Sequence, residues 1–187
     1  MKLNFWRPLA IFLLLALPLA AWSQGLPMVN VTGGKGGTQY SLTLQLLALS
    51  GHTGADLAIL DVQSGVLFAG DLVFYQRALT TPGTPSLATW LADLDQLQQL
   101  TWKQIVPGHG PLASDAAPFV QMRDYLGWLD GVMRSGAEQG AEMNELIRTA
   151  IPERFAGVSL SRYELIRSVS HLYPRYERQR LQRIDGM

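Results

Sequence analysis

Three residues whose types suit metal chemistry stand in matching settings. His52 lies in Ser50-Gly51-His52-Thr53-Gly54, Asp71 in Phe68-Ala69-Gly70-Asp71, and His109 in Ile105-Val106-Pro107-Gly108-His109-Gly110. Each follows a short apolar run and has a glycine beside it. Imidazole and carboxylate are donors for zinc, iron or manganese. Strand ends are stiff launching points, and glycine lets the backbone turn sharply there. Side chains launched from several strand ends can converge on one ion, which needs its ligands about 2 Å away at fixed angles. The expectation is that the three side chains share one metal-sized pocket, with ligating atoms within about 7 Å of one another. Taken singly, an Asp after Gly is a turn former and a histidine is structural; the case rests on the triple placement. The chain has no cysteine, which excludes thiolate metal sites, cysteine nucleophiles and disulfides.

The elements that must position these residues are legible from periodicity. Tyr40, Leu42, Leu44 and Leu46 alternate with Ser41, Thr43 and Gln45, the pattern of a strand with one buried face. Leu57 to Leu60 and Val66 to Ala69 are two more strands, separated by a turn at Ser64-Gly65. Residues 75–85 form a Pro/Thr-rich loop. Leu87, Trp90, Leu91, Leu94, Leu97 and Leu100 recur at helical spacing, opened by Pro85-Ser86. Gln104 to Val106 is a strand stopped by Pro107-Gly108. Helices are expected over about 115–134 and 142–150. A last helix opens with the capping-box pattern Ser161-Arg162-Tyr163-Glu164 and runs to Tyr173, where Pro174 should kink or end it.

Residues 50–111 resemble the C-terminal part of the metallo-β-lactamase superfamily. Gly51-His52-Thr53 resembles its third metal motif, Phe68-Ala69-Gly70-Asp71 its fourth, and Pro107-Gly108-His109-Gly110 its last. The stretch with Asp71-Leu72-Val73-Phe74, Trp90-Leu91 and Leu94 is similar to periplasmic zinc metallohydrolases that accompany quinoprotein dehydrogenases. The resemblance implies that His52 completes a first metal's histidine triad, that Asp71 bridges two metals and is the candidate catalytic residue, and that His109 binds the second metal. Such metals lower the pKa of a bound water and polarise a carbonyl or phosphoryl oxygen. Thr53 and Asp56 are candidates to support the metal-bound imidazole.

The family's first cluster, His-x-His-x-Asp-His, has no counterpart, since no histidine precedes His52. One residue cannot replace four, and His171 lies in a helical setting, so it reads as structural or surface. The resemblance therefore implies two zinc ions only if a missing half completes the site, and otherwise one weakly held ion or none. It also implies an α+β fold: the second half of an αββα sandwich, with extra C-terminal helices. Each half of such a sandwich supplies one sheet, and the inner faces bury each other. Leu42, Leu44, Leu57, Ile59, Val66 and Phe68 should populate the sheet faces. Helices can cover one face; the other is expected to drive self-association or to take a complementary half-domain.

The domain reading is 1–23 a signal peptide, 24–39 a Gly-rich linker, 40–114 the half-domain and 115–187 a helical extension. Lys2 and Arg7 precede the apolar run Leu9 to Ala21, and Ala21-x-Ser23 suits cleavage before Gln24. The run is short for a membrane span of about 20 residues. Export to a periplasm or beyond is expected. Gly33-Gly34-Lys35-Gly36-Gly37-Thr38 fails as a phosphate-binding loop, because no Ser or Thr directly follows the lysine.

Fifteen positive residues against fifteen negative give no basic excess for nucleic acid. The basic tail, with Arg175, Arg178, Arg180 and Arg183, reads as a solvated face. Three function classes remain. One is an exported zinc hydrolase with a small-molecule ester, thioester, amide or phosphoester substrate. The others are a non-catalytic accessory protein that keeps part of the fold, and a periplasmic binding module using the 75–85 loop and the helices.

Overall fold

Backbone pairing, not side-chain chemistry, builds the first element. The computed structural model describes residues 27–35 and 38–185. In it β1 (Met28–Lys35) pairs antiparallel with β2 (Thr38–Leu49). Residues 24–39 were expected to be a linker, so β1 is a correction. Val29, Val31 and Thr32 supply β-branched residues, and the strand's N–H and C=O groups need no side chain to join a ladder. The expected signal peptide lies outside the described residues. No helix among the described residues is long and apolar enough to cross a membrane.

The sheet continues in chain order through β3 (Asp56–Asp61), β4 (Val66–Phe74) and β5 (Gln104–His109). β2, β3 and β4 are antiparallel neighbours, whereas β5 runs parallel to β4. A parallel pair needs a crossover, and α1 (Leu87–Gln98) supplies it. The Ser86 side chain caps α1 by accepting from the Thr89 N–H, as Pro85-Ser86 predicts. β4 and β5 run past Gly70 and Gly108, respectively, and are longer than the apolar runs that predict them. Register shifts between Phe68, Gly70 and Phe74 absorb the irregularity, with Gly70 at φ +52.

Beyond the sheet come α2 (Ala117–Gln139), the short α3 (Met143–Leu146), a 3-10 turn at Glu153–Phe155, and α4 (Ser161–Asp185). Helices α1 and α2 pack on β4, and α4 packs on α2. One continuous apolar core runs from Leu47 through Trp90, Phe119 and Met122 to Leu165 and Tyr173. The C-terminal helices are thus part of the same core as the sheet.

α4 departs from expectation twice. Pro174 sits inside it without ending it. A mid-helix proline costs about 3 kcal/mol, but Leu172 and Tyr173 are buried on one side of it. On the other side the Tyr176 hydroxyl donates to Asp130 of α2 at 2.7 Å. Tertiary packing therefore carries the helix through. The capping box is not made either: the Ser161 hydroxyl donates to the Val158 carbonyl, and the Glu164 carboxylate binds Arg77, Arg167 and Thr80 instead.

Register assigns the faces. Leu47 pairs with Ala58, Leu60 with Leu67, and Leu67 with Ile105, all buried beneath the helices. The alternate rows hold Leu46, Ile59, Phe68 and Val106, and Leu44 opposite both Val29 and Asp61. All six residues expected to populate the sheet faces lie on this second, helix-free face. Alternation along β2 identifies the apolar stripe, but period two cannot say which side the helices take.

Candidate functional site

His52 lies three residues beyond the end of β2 and His109 is the last residue of β5, whereas Asp71, expected just past a strand end, stands inside β4 where the register shifts after Gly70; the structure joins two of the three. His109 Nε2 lies 3.5 Å from Asp71 Oδ1, with both side chains close to half exposed. Glycine makes this approach possible. A Cβ on Gly108 would collide with the Asp71 carboxylate and the backbone beside it, and Gly110, at φ +102, lies against the Tyr75 carbonyl. The Tyr75 N–H donates to the His109 carbonyl at 2.8 Å, which locks the ends of β4 and β5 together.

His52 sits among aromatic rings. Its ring packs 5.4 Å from Trp90 and 6.0 Å from Phe74, and Phe74 stacks at 4.8 Å on His109. Phe74 is thus the common neighbour of the two imidazoles. Asp56 accepts the His52 and Thr53 backbone N–H groups and the Thr53 hydroxyl, and its carboxylate stands 3.8 Å from His52 Nδ1. This places the expected supporting pair, Thr53 and Asp56, around His52, with Asp56 on the Nδ1 side of the ring. Among the described residues no group of three His, Asp or Glu side chains is placed to hold a metal ion. The donor set present, one carboxylate beside one imidazole, does not fit a two-zinc centre. His171 is exposed on α4, away from these residues in the sequence and on a separate element.

A family model described as the metallo-β-lactamase superfamily matches residues 7–109, more than half of the chain and all three of these residues. The chain belongs to the metallo-β-lactamase superfamily. Among solved structures it is similar to a metallo-β-lactamase from Pontibacter korlensis, at 25% identity and TM-score 0.41. That match covers 53% of this chain and 46% of the other. It is also similar to the stereoselective inverting sec-alkylsulfatase Pisa1 from Pseudomonas sp., at 17% identity and TM-score 0.53. Here 79% of this chain and 25% of the other are covered. No curated protein sequence matches it. This superfamily member spans under half the length of the first relative and a quarter of the second. The alkylsulfatase likeness is one of fold alone, and its share of this chain cannot be reached without helices beyond residue 114.

Sequence reasoning missed the residue that fixes the His52 turn. Asp93 is buried on α1 and accepts the backbone N–H groups of Ser50 at 2.7 Å and Gly51 at 2.6 Å. Gly51 in turn abuts the Trp90 backbone, where a Cβ would come within 2.6 Å of Cα. The signal was present: Asp93 falls inside the apolar stripe of α1, three residues after Trp90 and beside Leu94. A carboxylate on a buried helix face needs partners. Asp93→Ala leaves two buried N–H groups without their charged acceptor and should cost about 2–4 kcal/mol. Urea denaturation measures that loss. The His52 ring signals should shift in the NMR spectrum while those of His171 stay in place. A loss below about 0.5 kcal/mol, the range of an ordinary surface substitution, would show that the turn holds without Asp93.

Proposed function

We propose that this chain serves zinc-dependent hydrolysis as an exported half-domain, supplying Asp71 and His109 to a metal site that further ligands must complete. The carrying observation is the 3.5 Å approach of Asp71 Oδ1, in the irregular part of β4, to His109 Nε2 at the end of β5. Family membership supports zinc as the ion and a hydrolytic reaction. His52, ordered by Asp56 and Thr53, is a further donor that only the completed site brings to the ion. The substrate is a small ester, thioester, amide or phosphoester. The apolar leader supports export, and kinship with quinoprotein-associated hydrolases belongs to the same reading.

The chain alone is then a poor hydrolase. A catalytic zinc takes three protein ligands and an open position, and two adjacent donors fall short. With excess zinc, elemental analysis after desalting should find at most one ion per chain. Asp71→Ala and His109→Ala should change turnover of ester and phosphoester substrates little. A separately expressed half-domain bearing the His-x-His-x-Asp-His cluster should raise turnover, and the same substitutions should then abolish it. Two tightly held zinc ions and a robust turnover by the lone chain, removed by Asp71→Ala, would overturn this reading.

A second reading, a non-catalytic exported binding protein, draws on a groove of about 560 Å³ lined by Trp128, Val132, Gly136 and Leu146. The groove lies on the helices, away from Asp71 and His109. Saturable binding of an organic ligand that zinc and chelator leave unchanged would favour it.

A further inference from the structure

The tip of β5, where His109 stands, has little support from the sheet. β5 is the last strand in the sheet order, so β4 is its one strand neighbour among the described residues. β4 in turn pairs with β3 no further than Phe68. Its register with β5 shifts between Phe68 and Gly70 and again between Gly70 and Phe74. The ladder is thus irregular at Asp71 itself, and the 3.5 Å approach of Asp71 to His109 needs another support.

Two adjacent residues of α2 supply it. The Phe74 N–H donates to the Met122 thioether sulfur at 3.1 Å in a buried setting, and the Gln76 N–H donates to the Gln121 side-chain oxygen at 3.2 Å. Between them the Tyr75 N–H donates to the His109 carbonyl at 2.8 Å. Three successive amides are bonded in turn to α2, to His109 and to α2 again. Leucine would fill the volume of Met122 as well, but it offers no acceptor to a buried amide, whereas a thioether is a weak one. The far side of the turn is held too. The Ser159 N–H donates to the Gln76 carbonyl at 3.0 Å, and the Ala78 N–H to the Ser159 carbonyl at 2.9 Å. The two non-glycine residues with positive φ among the described residues flank this contact, Gln76 at +54 and Leu160 at +60. Left-handed backbone disfavours a residue with a Cβ and persists where its surroundings over-determine it. Leu160 is 52% exposed, so burial does not offset its strain.

We propose that Met122 and Gln121 are positioning residues for His109. They grip the backbone on either side of Tyr75, Tyr75 fixes the tip of β5, and the His109 imidazole is thereby held at the Asp71 carboxylate. The inference rests on the reading of Asp71 and His109 as the working pair. It adds that their geometry is set by α2, a helix that lies wholly beyond the matched residues 7–109. Amide exchange and proton spectra of the metal-free full chain read that geometry without zinc, so a grip that fails and a pair that binds no zinc are separate results.

Met122→Leu keeps the core volume and removes one acceptor, and Gln121→Ala removes the other. In the double variant, exchange of the Tyr75 amide should speed up about 5–10-fold, the protection that one hydrogen bond confers. The His109 ring protons lie against the stacked Phe74 ring. Their upfield signals should move toward those of the exposed His171, which stay in place. Gln121→Glu in the Met122→Leu background keeps an oxygen at the same reach and should restore part of the Tyr75 protection. Gln121→Ala alone changes a partly exposed residue, keeps the fold, and should show the same changes in smaller measure. Faster exchange at Phe74 and Gln76, with Tyr75 protection and the His109 signals unchanged, would overturn the proposal and make both residues packing contacts only. If the double variant does not fold, unchanged Tyr75 and His109 signals in Gln121→Ala would overturn it. So would an equal loss in Gln121→Glu and Gln121→Ala.

Discussion

Trp90→Ala should destabilise the protein by about 3–5 kcal/mol, the range for truncating a fully buried large aromatic. Trp90 is wholly buried, its indole N–H donates to the Leu72 carbonyl at 2.8 Å, and its ring lies beside both Phe74 and His52. The substitution therefore opens a cavity between the crossover helix and β4 and leaves a carbonyl without its donor. In a domain of this size each kcal/mol moves Tm by about 2–4 °C, so thermal unfolding should begin roughly 10 °C lower. Trp90→Phe separates the two effects. It keeps most of the volume and loses the hydrogen bond, for which about 1–2 kcal/mol is expected. If Trp90→Ala costs less than about 1 kcal/mol, far under the core-truncation range, Trp90 does not hold α1 to the sheet and the packing described here is wrong.

Glu164→Ala should cost about 3 kcal/mol, the lower end of the range for breaking a buried ion pair from one side. Glu164 is fully buried. Its carboxylate takes hydrogen bonds from Arg77 and Arg167, each at 3.2–3.3 Å, and from the Thr80 hydroxyl at 3.2 Å. Removing it leaves the Arg77 and Arg167 guanidinium groups without the carboxylate they share. They are partly exposed, and water relieves some of the loss, which sets the estimate at the low end. Burial, and then the Glu164 carboxylate, raise the pKa of the neighbouring Tyr125 hydroxyl well above the ordinary tyrosine value, so the carboxylate faces a neutral phenol. Denaturant unfolding followed by tryptophan fluorescence measures the loss. A wild-type midpoint for Glu164→Ala would show that the arginines find other partners.

The fold was legible wherever a period was strong. The α1 stripe from Leu87 to Leu97 and the Ser86 cap stand where the residues put them, and the β2 alternation marks a strand, although the side it buries is that of Leu47 and Leu49 and not the expected row of Leu42, Leu44 and Leu46. Three things were not legible, each for a physical reason. β1 hid behind its glycines, because ladder hydrogen bonds come from backbone groups that composition does not reveal. α4 passed through Pro174 because contacts made by Leu172, Tyr173 and Tyr176 outweigh a local penalty. The capping box at Ser161 failed because Glu164 is claimed by Arg77, 87 residues earlier in the chain. Within the site, spacing placed His52 and His109 at strand ends but missed that β4 continues through Asp71 to Phe74. It could not show that Phe74 neighbours both imidazoles or that Asp93 ties the His52 turn to α1, since both depend on how α1 lies across the sheet.

The loop at 77–85 is held by one face of α4. Glu164 binds Arg77 and Thr80, Ser168 accepts from Thr81 at 2.9 Å, and Arg175 donates to the Thr84 and Pro85 carbonyls at 2.9 and 2.6 Å. The same loop lies under His52, whose carbonyl is 3.4 Å from the Thr84 hydroxyl. On a ribosome this order of synthesis matters. Each of these loop residues emerges 84 to 91 residues ahead of the α4 residue that holds it, which is several seconds at the ~5–20 residues per second of synthesis. Through that interval the hairpins β1 to β4 can pair, because their contacts are local. The contacts that α4 makes to the 77–85 loop form only after that helix emerges, so the loop beside His52 is exposed to chaperones and proteases for longer than the hairpins are.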